Sequence, residues 1–158
     1  MTGITAILHT RNDELRIARV IESVRSCDEV LVIDHGSSDE TGKLACRFGA
    51  RVLDVREKSS DTHRYLDEAQ NNWICCLRPT ECLSESLEAS LFAWKMQEHQ
   101  EGSAYGVTQL EETPGGWTVG PAETRLVHRT WAMWQGWKPL ANGDPNLLEG
   151  PIVRLRLP

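Results

Sequence analysis

Residues 29–41, with the sequence EVLVIDHGSSDET, restrict the possible fold more than any other stretch of this chain. An apolar run ends at Asp34 and opens into a loop of glycine, serine and acidic residues. An uninterrupted apolar run is typical of a parallel strand that is buried on both faces. Because open α/β sheets bind ligands beyond the carboxyl ends of their strands, the loop after Asp34 is a candidate binding site.

Strand patterns alternate with helix patterns over the first hundred residues. Short apolar runs predict strands at 4–8, 30–33, 51–55 and 73–77. The spacing of apolar residues predicts helices between these strands. This alternation favours a parallel sheet with right-handed crossovers.

Three helix starts are indicated by capping residues. Ser37 and Glu40 have the spacing of a capping box before a short helix that stops at Gly49. Ser60 or Asp61 is expected to cap a helix before the fourth strand, and Ser84 a longer one after it. The apolar residues of this longer helix that are expected to cover the sheet are Leu87, Leu91, Phe92, Trp94 and Met96.

The character of the sequence changes beyond about residue 102. Residues 105–112 and 117–119 flank TPGG at 113–116, which predicts a β-hairpin. Residues 124–129 predict a further strand, and the loop-rich remainder is expected to lie over the first part without its own core. A chain of 158 residues is expected to form one α/β domain, here 1–158 with parts 1–101 and 102–158.

Composition excludes several classes of protein. The net charge of −6 is unfavourable for binding nucleic acid, which needs a basic face. No apolar run approaches the roughly 18 residues of a membrane span, and the amino terminus has no signal-peptide pattern. The five cysteines include no C-x-x-C pair, which is typical of free thiols in a reducing cytoplasm. We therefore expect a soluble cytoplasmic protein.

Four segments carry a resemblance to a known family. They are TRNDE at 10–14, VIDHGSSDET at 32–41, RFGARV at 47–52 and ETRLVHR at 123–129. Together they resemble the family-2 glycosyltransferases with the GT-A fold, especially the bacterial branch that acts on lipopolysaccharide core and related cell-surface glycans. The resemblance implies a mostly parallel sheet flanked by helices and a short β-rich C-terminal part. It also implies inverting transfer of a sugar from a nucleotide-sugar donor to a glycan or lipid-linked acceptor.

The strand ends and the resemblance together indicate a donor site, with 1–101 as the nucleotide-binding part and 102–158 on the acceptor side. Side chains at the ends of adjacent strands converge on the same crevice and can fix a nucleotide by hydrogen bonds. The predicted donor-binding residues are Thr10, Arg11, Asn12, Glu14, Asp34, Gly36, Ser37, Arg64 and Arg78. The alternative for Asp34 is a purely structural turn, and helix capping is the favoured explanation for Asp39.

Residues 77–81, LRPTE, depart from the family pattern. The family typically has two acidic residues here, separated by one residue, which bring a divalent cation to the donor diphosphate. Arg78 and Thr80 replace both, and hard cations need oxygen ligands, so a metal-assisted mechanism is not expected. Arg78 could bind the diphosphate through its planar guanidinium, or it could simply pair with Glu81.

Sugar transfer also needs a base within hydrogen-bond reach of the acceptor hydroxyl. Glu81 and Glu123 are the candidates, and the adjacent Glu111 and Glu112 are better explained as a solvated strand face. Four tryptophans lie in the last third of the chain and are expected in the core or in a homo-oligomer interface rather than against sugars. They are Trp117, Trp131, Trp134 and Trp137.

Two other functions remain open from the sequence. A noncatalytic binding or scaffold protein would keep the fold after losing the metal ligands. The sequence ends soon after LEGPI at 148–152, which predicts little room for the C-terminal helices of family enzymes and favours this alternative. A sugar nucleotidyltransferase is disfavoured because no glycine-rich loop follows the first strand.

Overall fold

The amino half of the chain forms a parallel sheet, as predicted. The computed structural model describes residues 1–156; residues 157 and 158 of the predicted C-terminal part lie outside the described residues. The parallel strands are β1 (Ile4–Thr10), β2 (Glu29–Asp34), β3 (Arg51–Asp54) and β4 (Trp73–Leu77), in the order β3–β2–β1–β4. Thr10 is in register with Asp34, so the ends of β1 and β2 lie side by side.

The rest of the sheet is mixed. Its strands are β5 (Glu81–Leu83), β6 (Ala104–Thr113), β7 (Gly116–His128), β10 (Asn146–Leu147) and β11 (Ile152–Arg154). The order continues β4–β7–β6–β11–β5, and β10 pairs with β6. Strands β8 (Trp134–Gln135) and β9 (Lys138–Pro139) form a separate pair.

The predicted hairpin is confirmed, since Thr113 pairs with Gly116 across its turn. The strand expected at 124–129 is not separate but forms the end of the long β7. The C-terminal remainder was expected only to lie over the first part, but it also contributes a strand to the sheet, because β11 inserts between β5 and β6. Pairing between distant segments leaves no local pattern in the sequence, and this explains why it was missed.

Within residues 1–156, four helical segments accompany the sheet. They are α1 (Ile17–Ser23), α2 (Thr41–Arg47), a 3₁₀ helix (Thr62–Glu68) and α3 (Glu85–Lys95). The Ser84 cap is confirmed by the Leu87 N–H, which donates to Ser84 Oγ at 3.2 Å. The capping box is wrong because α2 begins only at Thr41, and Ser37 instead donates to Asp34. Phe92 and Met96 do not cover the sheet, since they are 48% and 71% exposed.

Two hydrophobic clusters lie on opposite faces of the sheet, because alternate side chains of a strand point to opposite sides. The larger one contains Ala6 and Leu8 of β1 and is covered by the α-helices. The smaller one contains Ile7 and Leu66 and lies under the 3₁₀ helix, with Trp134 and Trp137 packed against it. None of the helices in residues 1–156 is long and apolar enough to cross a membrane.

Candidate functional site

Two loops bind each other beyond the ends of β1 and β2. The Asn12 N–H donates to Ser37 Oγ at 2.9 Å, and Asn12 Oδ1 accepts from the Ser38 N–H at 2.8 Å. Asn12 has a φ of 55°, a left-handed conformation that asparagine tolerates better than most residues. These contacts fix the shape of one wall of the predicted donor site.

Asp34 shapes the second loop. Its Oδ1 accepts from the Ser37 N–H at 3.0 Å and from the Ser37 hydroxyl at 2.6 Å. The carboxylate is buried, and a Cβ added to Gly42 would lie 3.3 Å from Asp34 Oδ2, so the side chain sits close to the start of α2. Gly36 turns the chain with a φ of 75°. Asp34 therefore stabilises the turn that follows β2. This is the structural role that the sequence left open as the alternative to donor binding.

Two further carboxylates hold these loops. Asp13 Oδ2 accepts from the Thr10 hydroxyl at 2.6 Å, and the Asp13 N–H donates to Thr41 Oγ1 at 2.8 Å. Asp39 accepts from the N–H groups of Thr41 and Glu14 at 3.0 and 3.3 Å. Burial disfavours the Asp39 charge, but these hydrogen bonds outweigh it and lower the pKa of Asp39. Both side chains stabilise the loops, and sequence reasoning missed this role of Asp13.

A cleft of about 580 Å³ opens beyond the ends of β1, β2 and β3. Three of its lining side chains are basic, whereas Asp54 is the acidic one. The lining residues are Arg11, His35, Gly36, Asp54, Val55, Arg56 and Lys58. A basic lining favours an anionic ligand. Arg56 and Lys58 were missed, although a charged run directly after the third strand could have indicated them.

Arg64 reaches this region from the 3₁₀ helix. Its guanidinium is about half exposed and pairs with the carboxylate of Glu57, which lies between Arg56 and Lys58. The predicted donor-site residue is therefore placed beside the cleft, where it holds the loop that carries two lining cations.

A second polar cluster lies at the end of β4. The Arg78 N–H donates to Glu81 Oε1 at 2.8 Å, and Arg78 Nη2 lies 3.4 Å from Glu81 Oε2. The Arg78 side chain is 31% exposed, and its guanidinium lies 5.0 Å from the centre of the Trp137 ring. The pairing with Glu81 expected as the simple alternative is therefore present, but Arg78 still reaches the surface.

Glu81 is bound to a second arginine. Arg125 Nη1 and Nη2 donate to its two oxygens at 2.8 and 2.7 Å, and both side chains are buried. Burial alone would raise the pKa of Glu81, but its contacts with Arg125 and Arg78 lower it instead. A carboxylate that is buried and held on both oxygens has no access to an acceptor hydroxyl. This geometry does not support the predicted role of Glu81 as the base.

Glu123 is similarly engaged. It accepts from Arg125 Nη2 at 3.0 Å and from Lys138 Nζ at 2.6 Å. Despite partial burial, these two cations lower the pKa of Glu123 to about 2. So acidic a carboxyl is a weak proton acceptor near neutral pH, and the predicted role of Glu123 as a base is not supported either. The cluster holds three cations and two carboxylates, so the positive charge of Arg78 is not fully compensated.

Curated glycosyltransferases match parts of this chain in sequence. No family model matches the chain. An uncharacterized glycosyltransferase of Rickettsia typhi is 34% identical over 91 residues, which are 56% of this chain and 31% of that protein. One from Rickettsia bellii is 31% identical over 111 residues, or 68% and 38%. The 4,4'-diaponeurosporenoate glycosyltransferase of Staphylococcus aureus is 33% identical over 74 residues, or 45% and 17%. The chain spans about a third of the length of its Rickettsia relatives.

Solved structures decide the fold. TarS of Staphylococcus aureus matches with a TM-score of 0.59 at 14% identity, over 82% of this chain and 29% of that one. Glucosyl-3-phosphoglycerate synthase of Mycobacterium tuberculosis, in complex with Mn²⁺, uridine diphosphate and glucosyl-3-phosphoglycerate, gives 0.53 at 23% identity over 72% and 45%. This chain has the GT-A glycosyltransferase fold. The resemblance to GT-A glycosyltransferases that the sequence indicated is confirmed.

Within this GT-A fold, the predicted donor-site residues fall into two groups. Most of them collect in the loops after β1 and β2, where Arg11 and Gly36 line the cleft. Thr10 and Asp34 are the last residues of β1 and β2, and the loops that follow carry Arg11, Asn12, Glu14, Gly36 and Ser37. Arg78 instead belongs to the cluster at the end of β4, and Arg64 lies beside the cleft, where it pairs with Glu57.

The tryptophans have different environments in the GT-A fold. Trp134 and Trp137 pack against the smaller hydrophobic cluster, as expected for core residues. Trp137 also lies over Arg125, with 4.7 Å between the guanidinium carbon and the ring centre. Trp117 is not in the core, because it is 55% exposed on the β6–β7 hairpin.

Proposed function

We propose that this chain is the donor-binding domain of a family-2 glycosyltransferase, with 1–101 on the donor side and 102–158 on the acceptor side. A nucleotide sugar would bind in the basic cleft beyond β1–β3 and transfer its sugar to a glycan or lipid-linked acceptor with inversion. The observation that carries this proposal is the position of the cleft, at the carboxyl ends of parallel strands in a GT-A fold. TarS crystallised with UDP-GlcNAc and the mycobacterial synthase with uridine diphosphate, which supports a nucleotide-sugar donor.

The residues at the end of β4 do not fit a divalent cation. Arg78 and Thr80 offer no carboxylate, and both oxygens of Glu81 are bound to Arg125. Within residues 1–156, no group of three or more His, Cys, Asp or Glu side chains is arranged to hold a metal ion. We therefore derive no step through a metal at this site.

Arg78 is the group proposed to face the donor diphosphate. Its charge is incompletely neutralised, and a planar guanidinium can bind two phosphate oxygens at once. A hydrogen bond to a charged group contributes about 1.5–3 kcal/mol. Such a contact would supply part of the stabilisation that a divalent cation gives to a bound diphosphate. Glu81 and Glu123 hold the arginines in this proposal and do not deprotonate the acceptor.

Thermal unfolding tests the proposal directly. The purified protein would be titrated with UDP, GDP, CDP and their sugars, each with and without manganese. A ligand at 100 times its dissociation constant stabilises the native state by about 2.7 kcal/mol, so binding is readily detected. We expect one nucleotide to raise the melting temperature equally with and without manganese. No increase with any nucleotide would contradict the donor-site assignment.

A noncatalytic scaffold is the second candidate. The replacement of the acidic pair by Arg78 and Thr80 favours it, together with the ion pairs that engage Glu81 and Glu123. The double variant Arg78→Asp and Thr80→Asp restores two acidic residues at these positions. Manganese-dependent nucleotide binding gained by this variant would indicate an intact donor site that lacks only its metal ligands, as expected for a degenerate enzyme.

A further inference from the structure

A continuous row of hydrogen-bonded groups joins the basic cleft to the cluster at the end of β4. His35 Nδ1 contacts the carbonyl oxygen of Glu57, and His35 Nε2 lies 2.9 Å from His9 Nδ1. His9 Nε2 lies 2.8 Å from Thr62 Oγ1, which in turn lies 2.8 Å from the carbonyl oxygen of Trp137. We call the side chains of His35, His9 and Thr62 the histidine relay.

The relay has fewer hydrogens than contacts. Its two ends, the carbonyl oxygens of Glu57 and Trp137, only accept hydrogen bonds. Neutral His35 and His9 each supply one ring N–H, and Thr62 supplies one O–H. Three hydrogens therefore serve the four contacts, and one contact always lacks a hydrogen.

The missing hydrogen falls at one of the two ends. A missing hydrogen inside the relay would place two lone pairs face to face at 2.8–2.9 Å between side chains that packing holds in place. At an end, the unbound carbonyl belongs to a surface segment and can turn toward water, since Glu57 is exposed and Trp137 follows the exposed Gly136. The two carbonyls therefore compete for one hydrogen.

Each end of the relay touches one half of the proposed donor site. Glu57 lies between Arg56 and Lys58, which line the basic cleft. Trp137 lies over the guanidinium of Arg78. The contact with the Glu57 carbonyl ties the cleft loop to His35, and the hydrogen bond to the Trp137 carbonyl ties the backbone beside this ring to Thr62.

We propose that His9, His35 and Thr62 are positioning residues that couple the two halves of the donor site, so that the cleft loop is held when Trp137 is released. The relay itself stands on the contacts above, and its link to the donor rests on the proposed function. Nucleotide binding would favour the arrangement in which the loop is held and Arg78 is uncovered.

The surroundings of His9 keep its ring neutral near pH 7. Burial, followed by the neighbouring charge of His35, lowers the pKa of His9 to about 4. The ring of Tyr65 packs edge-on against His9 at 5.9 Å, and the Tyr65 hydroxyl lies 3.5 Å from Glu57 Oε2. Arg64 pairs with the same Glu57 carboxylate. Burial and the negative charges of Glu57 and Asp61 raise the pKa of Tyr65. A proton added to the relay would supply the fourth hydrogen and hold both carbonyls at once.

The two hydrogen arrangements give different ring tautomers. With the Glu57 carbonyl held, both rings carry their hydrogen on Nδ1; with the Trp137 carbonyl held, both carry it on Nε2. We expect nitrogen NMR of the ligand-free protein at pH 7 to show His9 and His35 always in the same tautomer. Opposite tautomers in the two rings would overturn the relay.

Thr62→Val removes the relay's hydroxyl without changing the size or charge of this buried side chain. Without that hydroxyl, a His9 Nε2–H has no acceptor, so we expect both rings to be entirely in the Nδ1–H form. Thr124→Val is the matched control, because the buried Thr124 hydroxyl has no hydrogen-bond partner. An unchanged tautomer ratio in Thr62→Val, or an equal change in the control, would overturn the assignment.

The link to the donor is tested by adding saturating UDP, GDP or CDP to the native protein during the same NMR measurement. Bound nucleotide is expected to move both rings to the Nδ1–H form. Binding with no change of tautomer would refute the coupling while leaving the proposed function intact. If none of the three nucleotides binds, the proposed donor and its coupling both fail, and the ligand-free tautomers still decide the relay itself.

Discussion

Arg125 holds Glu81 by two hydrogen bonds of 2.8 and 2.7 Å in the interior of the protein. Glu81 uses the same carboxylate to accept from the backbone N–H of Arg78. This buried pair therefore fixes the segment that carries Arg78 and Thr80. The pair holds the backbone of Arg78 in place, and breaking it is expected to lower the free energy of unfolding.

Glu81→Gln should destabilise the fold strongly. Breaking a buried ion pair costs about 3–5 kcal/mol, and here it leaves the buried guanidinium of Arg125 with Glu123 as its remaining carboxylate partner. The free energy of unfolding would be measured by denaturant titration. Glu111→Gln is the control, because Glu111 is exposed and forms a surface ion pair with Arg154 at 3.7 Å. Surface ion pairs contribute little, so we expect a change below about 1 kcal/mol. Equal effects of the two substitutions would contradict the importance of the buried pair.

Arg78→Ala should weaken the binding of a nucleoside diphosphate more than that of the monophosphate. Loss of a charge-assisted contact of about 1.5–3 kcal/mol corresponds to a decrease of roughly 10- to 150-fold in affinity. Calorimetric titration of both nucleotides gives the ratio of their dissociation constants. The exposed Arg47→Ala variant is the control and should keep the native ratio. An unaltered ratio in Arg78→Ala would rule out the proposed contact with the diphosphate.

Asp34→Ala should abolish detectable nucleotide binding at concentrations that saturate the native protein. The substitution removes the acceptor of two hydrogen bonds from Ser37 and loosens the wall of the cleft. We expect a loss of about 1–3 kcal/mol in stability as well. Asp67→Ala changes an exposed carboxylate on the 3₁₀ helix and serves as the comparison. Full affinity or full donor-dependent activity in Asp34→Ala would refute the site.

Stability should fall in mild acid because of His9. The pKa of His9 is lowered from 6.5 to about 4 in the folded protein, so the unfolded chain binds more protons between these values. The stabilising contribution is complete above pH 6.5 and is lost as the pH falls to about 4, by up to about 3 kcal/mol. His9→Gln should flatten this part of the pH profile of unfolding, whereas the exposed His63→Gln should not. A native slope in His9→Gln would contradict the assignment.

Much of the fold and part of the site follow from local sequence. The runs at 4–8, 30–33 and 73–77 were recognised as strands because a strand that is buried on both faces is apolar at nearly every position. The loops after β1 and β2 were recognised because their residues meet at the ends of adjacent parallel strands. Ser84 was identified as a cap because capping depends on residues only three positions apart.

Other features depend on contacts between distant segments. Ser37 has the spacing of a cap, yet its hydroxyl accepts from the Asn12 N–H, 25 residues away in the sequence, and donates to Asp34. Strand β11 has only three residues and is stabilised by pairing with β5 and β6 on either side. Neither outcome can be derived from local propensity, since the competing partners are specified by tertiary packing.

The sequence by itself determined the parallel half of the sheet and the meeting of the loops that follow β1 and β2 at its edge. Only the tertiary structure decided what surrounds Arg78 and which histidines lie in contact. Glu81 and Arg125 are 44 residues apart, and His9 and Thr62 are 53 apart, so no local spacing links them. Burial and hydrogen-bond geometry arise when the sheet brings these side chains together, and they assign Glu81 to an ion pair rather than to a catalytic base.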